Sequence, residues 1–331
     1  MKKIRWGILS AANIAYDQIL PALRRSDRAE VVAIASRSEG RAERFNIPTI
    51  YKEYDQLLDD PKIDAVYIPL PNALHTEWSI KAAKKGKHIL LEKPAALTSA
   101  EVKDIQVAVL ENNVVFMEAF MYQFHKQHQR VKELLDSNYI GEYLHVKAHF
   151  SWMLDDPNDI RLKPDLGGGA LWDVGCYGIH AMSQIIGMKP TKVTMAGKIH
   201  PEYKVDTLST CVFTDDKGRT AEITASVELP FINRYEIIGP KGTILVDSSF
   251  RPDVSPDHFG KVIVKDHHNQ TVLYEAYEDD QYLKQIEHLH DCILNGLQPR
   301  YSIEDSLQVI HYIEKSYESL NNSSVTQELI Y

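Results

Sequence analysis

The chain has 331 residues, more than one ordinary core accommodates, so two domains are expected. Hydrophobic residues make up 44% and charged residues 25%, which sets aside disordered, collagen-like and disulfide-scaffold proteins. Lys and Arg total 37 against 46 Asp and Glu, a net charge of −9 with no basic run, so nucleic acid is not an expected partner.

The first third alternates short β-branched runs with helical patterns, and residues 4–9, 31–35, 65–68, 88–91 and 114–117 read as strands. Apolar strands separated by helices predict a parallel sheet covered on both faces, a doubly wound α/β domain of the Rossmann type over residues 1–120. From 121 to 331 longer alternating segments take over, at 142–152, 192–200, 208–214, 220–227, 235–238 and 243–246. Tight turns at Asp215-Asp216-Lys217-Gly218 and Gly239-Pro240-Lys241-Gly242 join them into an α+β domain with a large open, mainly antiparallel sheet. Helices are expected at 126–137, 170–186 and 281–295, and an amphipathic stretch at 303–320 predicts a last helix that packs back onto the protein. The longest apolar stretches, 63–70 and 114–121, are too short to span a membrane, and with no apolar signal core a cytoplasmic protein is expected. Cys176, Cys211 and Cys292 are spaced for neither a disulfide framework nor a zinc knuckle. An open sheet needs its outer face covered, which predicts a homodimer or higher homo-oligomer through the second domain.

The first strand runs through Ser10-Ala11-Ala12-Asn13-Ile14-Ala15 into a helix. A dinucleotide's pyrophosphate sits on such a helix N-terminus, where free N–H groups attract anions and small residues permit close approach. The usual Gly-x-Gly-x-x-Gly/Ala pattern is degraded to Ser10, Ala12 and Ala15. The second strand ends in Ser36-Arg37, with no acid to hold the ribose diol of NAD. A hydroxyl and a guanidinium suit a 2′-phosphate, and Arg41 adds a second cation, so NADP(H) is the preferred cofactor and NAD(H) the lesser one.

Pro69-Leu70-Pro71-Asn72, His75 and Glu92-Lys93-Pro94 follow later strands, at the edge where open α/β sheets bind ligands. Lys93 follows a wholly apolar strand, at the rim of a buried sheet. A glycine run, Gly167-Gly168-Gly169, opens a predicted helix on which Asp173, Tyr177 and His180 stand at i, i+4 and i+7 and share a face. Gly175 and Gly178 inside it each cost about 1 kcal/mol relative to Ala, which predicts close approach of another backbone or a flat ligand.

These features together resemble the Gfo/Idh/MocA oxidoreductases. The resemblance spans nearly the whole chain and rests on the opening turn 6–15, Pro71-Asn72 with His75, Glu92-Lys93-Pro94, Glu118-Ala119-Phe120-Met121-Tyr122, and residues 167–177. It implies a catalytic set of Lys93, Asp173 and Tyr177, with Tyr177 as acid/base and Lys93 hydrogen-bonding the reacting oxygen and favouring the phenolate. It implies cofactor contacts at Ser10, Ala11, Ala12, Asn13, Ile14, Ser36, Arg37, Pro69, Leu70, Asn72, His75, Glu92 and Lys93, with His125, Arg161 and His180 lining the substrate cleft. Tyr177 in place of histidine points to the branch with glucose-fructose oxidoreductase, D-xylose dehydrogenases and dimeric dihydrodiol dehydrogenase, whose members favour NADP(H). Where that branch often reads Met-Tyr-Arg-Phe-His-Pro, this chain has Met121-Tyr122-Gln123-Phe124-His125-Lys126. The expected function is hydride transfer between NADP(H) and a sugar, polyol or related diol, with no metal. A non-catalytic NADP-binding regulator, or an enzyme using the nicotinamide transiently without net redox, is the alternative.

Overall fold

The computed structural model describes residues 3–38 and 40–330. They form two compact units, the first reaching Met121 and including Asp280–Ile310, the second made of Tyr122–Asp279 and the described residues from His311 onward.

In the first unit β1 (Ile4–Leu9), β2 (Ala29–Ala35), β3 (Thr49–Tyr51), β4 (Ala65–Ile68), β5 (His88–Leu91) and β6 (Phe116–Glu118) form one sheet in the order β3-β2-β1-β4-β5-β6. Every pairing is parallel. Strands such as β4, buried at all four residues, can be apolar throughout because helices cover both faces. The strand order reverses between β1 and β4, which opens a crevice at their C-terminal ends. The sequence places the 281–295 helix with the second domain, whereas Gln281–Asn295 packs with the first unit. Arg28 donates to Glu287 and to Asp291 at 2.5 Å, and the Trp6 indole N–H donates to His290 Nε2 at 3.1 Å.

The second unit holds β7 (His145–Met153), β8 (Lys192–Ile199), β9 (Asp206–Thr214), β10 (Thr220–Ser226), β11 (Glu228–Gly239), β12 (Gly242–Asp247), β13 (Gly260–Asp266), β14 (Thr271–Tyr277) and β15 (Gln327–Glu328). They form one sheet in the order β14-β13-β12-β11-β7-β10-β9-β8-β15, in which only β7 and β10 run parallel. Both expected hairpin turns are present, and Gly218 has φ 77°. Alternate residues, among them Ala148, Phe150, Ile223, Ala225, Tyr235 and Ile237, face the core. Against them lies a helical segment that is π-helical over Leu171–Gly175, α-helical over Cys176–His180 and π-helical over Ala181–Ile185. A Cβ on Gly178 would stand 2.6 Å from Ile223 Cγ2 and 3.2 Å from Ala148 Cβ, and one on Gly175 3.1 Å from Ala225 Cβ. The close approach expected at these glycines is made by side chains of the sheet and, at Gly175, also by Leu171 of the segment itself, whose Cδ1 would stand at 2.6 Å.

Candidate active site

The residues following β1 and β2 build a cradle in the first unit. Ser10 has φ 114°, a backbone region that glycine enters readily and other residues rarely. Keeping serine there costs on the order of 1–3 kcal/mol, so the turn retains glycine's geometry where the sequence has lost glycine. Ala11 is buried, Ala12 and Ile14 half-buried, and the exposed Asn13 accepts from Arg44 at 2.8 Å. A cavity of ≈180 Å³ opens here, lined by Ser10, Ala11, Ser36, Arg37, Arg41 and Leu70 among others, none of them acidic. The Arg37 guanidinium lies 5.0 Å from the Tyr54 ring centroid, and Ser36 Oγ donates to Ser38 O at 3.0 Å, folding the loop on itself. These residues fit a dinucleotide with a 2′-phosphate: the glycine-like turn admits close approach and two cations face a cavity without carboxylates. A larger cavity of ≈310 Å³ lies beside Lys3, Arg24 and Ala29, at the N-terminal ends of β1 and β2, the wrong edge of such a sheet for a ligand.

Pro69 and Leu70 are buried at the end of β4, and Asn72, half-buried, opens a 3₁₀ turn. His75, expected at the cofactor, is fully buried, with its ring nitrogens 2.7 Å from Pro94 O and 2.8 Å from Leu70 O. Both nitrogens face carbonyls of the fold, and the single N–H of the neutral ring donates to one of them, Pro94 O or Leu70 O. Burial, with a smaller push from Lys93, moves its pKa down to about 4. Glu92 takes a hydrogen bond from the Tyr67 hydroxyl at 2.5 Å, and Lys93, half-buried, precedes a cis peptide bond to Pro94.

In the second unit, Gly169 N–H donates to Arg161 O at 2.9 Å, and a Cβ on Gly168 would lie 2.4 Å from that oxygen. The glycine run thus lets residues 161–163 close against the start of the helical segment, while the buried Asp206 accepts from Leu171 N–H at 2.9 Å. The π turns alter the phase assumed for a regular helix, and the three side chains expected on one face meet different partners. Asp173 Oδ2 pairs with Arg161 Nε at 2.9 Å and accepts from Trp152 Nε1 at 3.2 Å. The Asp173 charge holds the Arg161 guanidinium above its usual pKa. Arg161, expected at substrate, therefore anchors the aspartate. Tyr177 is only 6% exposed, its ring centroid 5.3 Å from Phe150, 5.5 Å from Phe250 and 5.7 Å from Tyr122. His180 is fully buried, with Nδ1 2.6 Å from the Tyr122 hydroxyl, and burial pushes its pKa well below the ordinary histidine range. His125, also buried, caps the helix Lys126–Asp136 by accepting from Gln127 N–H at 3.4 Å.

Two family sequence models match: the oxidoreductase family with NAD-binding Rossmann fold over residues 4–120, and the GFO/IDH/MocA C-terminal domain over residues 128–245. The chain belongs to the Gfo/Idh/MocA oxidoreductase family. Among its relatives is a D-xylose 1-dehydrogenase (NADP(+)) of Haloferax volcanii, 34% identical over 97% of this chain and 99% of that one. A trans-1,2-dihydrobenzene-1,2-diol dehydrogenase of Xenopus laevis is 30% identical over 96% of this chain and 98% of its own. The crystal structure of a 3-ketoreductase from Actinomadura kijaniata with NADP and TDP-benzene superposes with a TM-score of 0.88 at 31% identity, covering 97% of this chain and 98% of that one.

In this Gfo/Idh/MocA oxidoreductase the candidate site residues stand partly on supports, Tyr122 and Trp152, to which sequence reasoning gave no role of their own. Tyr122 joins Tyr177 and His180, and Trp152 and Arg161 hold Asp173. Tyr122 lies in the wholly buried run 116–124, where a phenol and the lone acid Glu118 are the visible signal that something beyond packing is at work. Glu118 accepts from Ala95 N–H at 2.8 Å and from the Ser306 hydroxyl at 2.6 Å. Among the described residues no helix is long and apolar enough to cross a membrane.

Proposed function

We propose that this protein is an NADP(H)-dependent dehydrogenase or reductase acting on a CH–OH group, or the matching carbonyl, of a sugar, polyol or related diol. The observation that carries the reading is the strand-end cavity, with Arg37, Arg41 and Ser36 in its wall and no acidic lining residue, beside the glycine-like turn at Ser10. Bound NADP(H) supplies or accepts the hydride. Tyr177 gives or takes the hydroxyl proton at its phenolic oxygen, and its aromatic surroundings keep bulk water from that exchange. Lys93 donates a hydrogen bond to the reacting oxygen, where negative charge develops. Asp173, oriented by Arg161 and Trp152, positions a substrate hydroxyl or the lysine. The named relatives, a xylose dehydrogenase, a dihydrodiol dehydrogenase and a ketoreductase, span that substrate class. The nine-stranded sheet leaves Val212 42% and Tyr274 60% exposed, and we assign this sheet to a homodimer or higher homo-oligomer, tested by light scattering.

The decisive experiment is a panel of aldoses, inositols, ketoses and diols assayed with NADP+ and NAD+, alongside Lys93→Met and Tyr177→Phe. Each substitution should lower turnover by about a hundredfold or more, the scale of one lost donor or acid/base, with NADPH binding nearly intact. Wild-type turnover in either variant refutes the role assigned to that residue.

A further inference from the structure

Three residues around Lys93 are each tied to the body of the first unit. Glu92 is held by the Tyr67 hydroxyl and by its own N–H to Ile68 O at 3.1 Å, Pro94 O by His75, and Ala95 N–H by the Glu118 carboxylate. Leu91 and Glu118 are the last register partners of β5 and β6. Beyond them the β5 chain leaves the ladder, and Ala95 N–H, at a residue with no exposed surface, is met by a side chain instead of a neighbouring strand. Glu118 is itself fully buried. A carboxylate there costs several kcal/mol of desolvation, which an apolar side chain of similar volume would avoid, so packing alone does not account for it.

We propose that Glu118 is a positioning residue: through the Ala95 N–H it holds the Glu92-Lys93-Pro94 loop in the geometry that presents Lys93 to the substrate oxygen. The proposal rests on the role given to Lys93 above. A carboxylate binds an N–H about twice as strongly as a neutral acceptor, so the hold tightens when Glu118 ionises. Burial, opposed by the Ser306 and Ala95 hydrogen bonds, moves its pKa up to about 7. From the β5 loop Glu92 opposes its ionisation and Lys93 favours it. From the helix Ile303–Asn321 only Ser306 reaches it, since Glu304 takes Gln106 and Asp305 takes Ser302.

The test combines Glu118→Gln, Glu118→Ala and Lys93→Met in the full-length protein. Turnover of D-xylose, D-glucose or trans-cyclohexane-1,2-diol with NADP+, whichever is fastest, is followed from pH 6 to 9, and hydrogen exchange of the Ala95 amide supplies a readout that needs no substrate. Wild-type turnover should rise through a step near pH 7, and Glu118→Gln, which keeps both hydrogen bonds but not the charge, should lose that step and run about fivefold slower above it. Glu118→Ala should speed Ala95 exchange and slow turnover by about tenfold or more, with NADPH affinity within about twofold. Wild-type exchange in Glu118→Ala, or a wild-type pH profile in Glu118→Gln, overturns the proposal. Full activity in Lys93→Met overturns both it and the reading of Lys93, whereas an inactive Lys93→Met beside unaffected Glu118 variants overturns the Glu118 role alone.

Discussion

Gly178→Ala is expected to destabilise the second unit, although the same change in a solvated helix would stabilise it. The new methyl would lie 2.6 Å from Ile223 Cγ2 and 3.2 Å from Ala148 Cβ, against about 3.5–4.0 Å for a relaxed carbon contact. Ile223 is 1% exposed and Ala148 4%, so about 1 Å of retreat has to come from the sheet or the helical segment. Overpacking of this size costs about 1–3 kcal/mol, and alanine's better helix propensity returns about 1 kcal/mol, leaving a net loss of about 1 kcal/mol. Ile223→Ala alone should cost about 2–5 kcal/mol, but the double variant should be less damaged than the two losses added, by about 1–2 kcal/mol, because each relieves the other. Urea unfolding of the four proteins measures this coupling. Turnover should fall in Gly178→Ala with NADPH affinity unchanged, since Tyr177 rides on the displaced segment and the cradle does not. A neutral or stabilising Gly178→Ala, or additive losses, would refute the account of why glycine stands there.

Cofactor choice is checked by NADPH and NADH dissociation constants in the wild type and Arg37→Ala. NADPH should bind more tightly and lose roughly tenfold in the variant, the low end for a hydrogen bond to a charged group because the guanidinium is exposed, with NADH little changed. Acid stability should be poor: burial holds His75 at about 4, His128 at about 3 and His290 at about 4. These values lie below the unfolded 6.5, so their contribution is complete above that pH and is lost as pH falls, by about 2 kcal/mol per histidine at pH 5. Urea midpoints that stay flat from pH 7 to 5 would contradict it. Glu118 works in the opposite direction, since a folded pKa of about 7 against 4.5 costs stability as pH rises between those values, up to about 3 kcal/mol. Glu118→Gln should therefore gain on the wild type between pH 5 and 8, and a constant difference would argue against the shift.

The parallel sheet was the most legible part of the chain because β4 is apolar from end to end and β1 and β5 each carry one polar residue, Arg5 and His88, a consequence of burial on both faces. β3, three residues long, gives too short a signal, and β13 and β14 went unread for another reason. β13 alternates, with Gly260, Val262 and Val264 buried opposite Lys261 and Lys265, but only two apolar side chains make that face, and β14 is exposed or half-buried at every residue. Their hairpin turns on Asp266, which accepts from His268 and Gln270 N–H at 2.9 Å, without the Gly-rich signature that marked the other two. At the site, the degraded motif at Ser10 to Ala15 was readable as a cradle, but its strained serine is a property of the backbone alone. The Arg161–Asp173 ion pair depends on a loop folding back over twelve residues, which no periodicity encodes. The setting of His75 was not legible, because position at a strand end says nothing about which way a ring turns, and its nitrogens lie against the Pro94 and Leu70 carbonyls.

The return of Asp280–Ile310 to the first unit gives the order of synthesis a cost. Trp6 waits 284 residues for His290, so at about 5–20 residues per second the ribosome delivers the missing helix some 15 to 60 s after the strand it covers. Through that interval the nascent sheet carries an indole without its hydrogen-bond acceptor and Arg28 without its carboxylates. A fragment stopped at residue 120 would hold that state permanently, so the cradle is not a detachable module, and its completion has to wait until the second unit has been made.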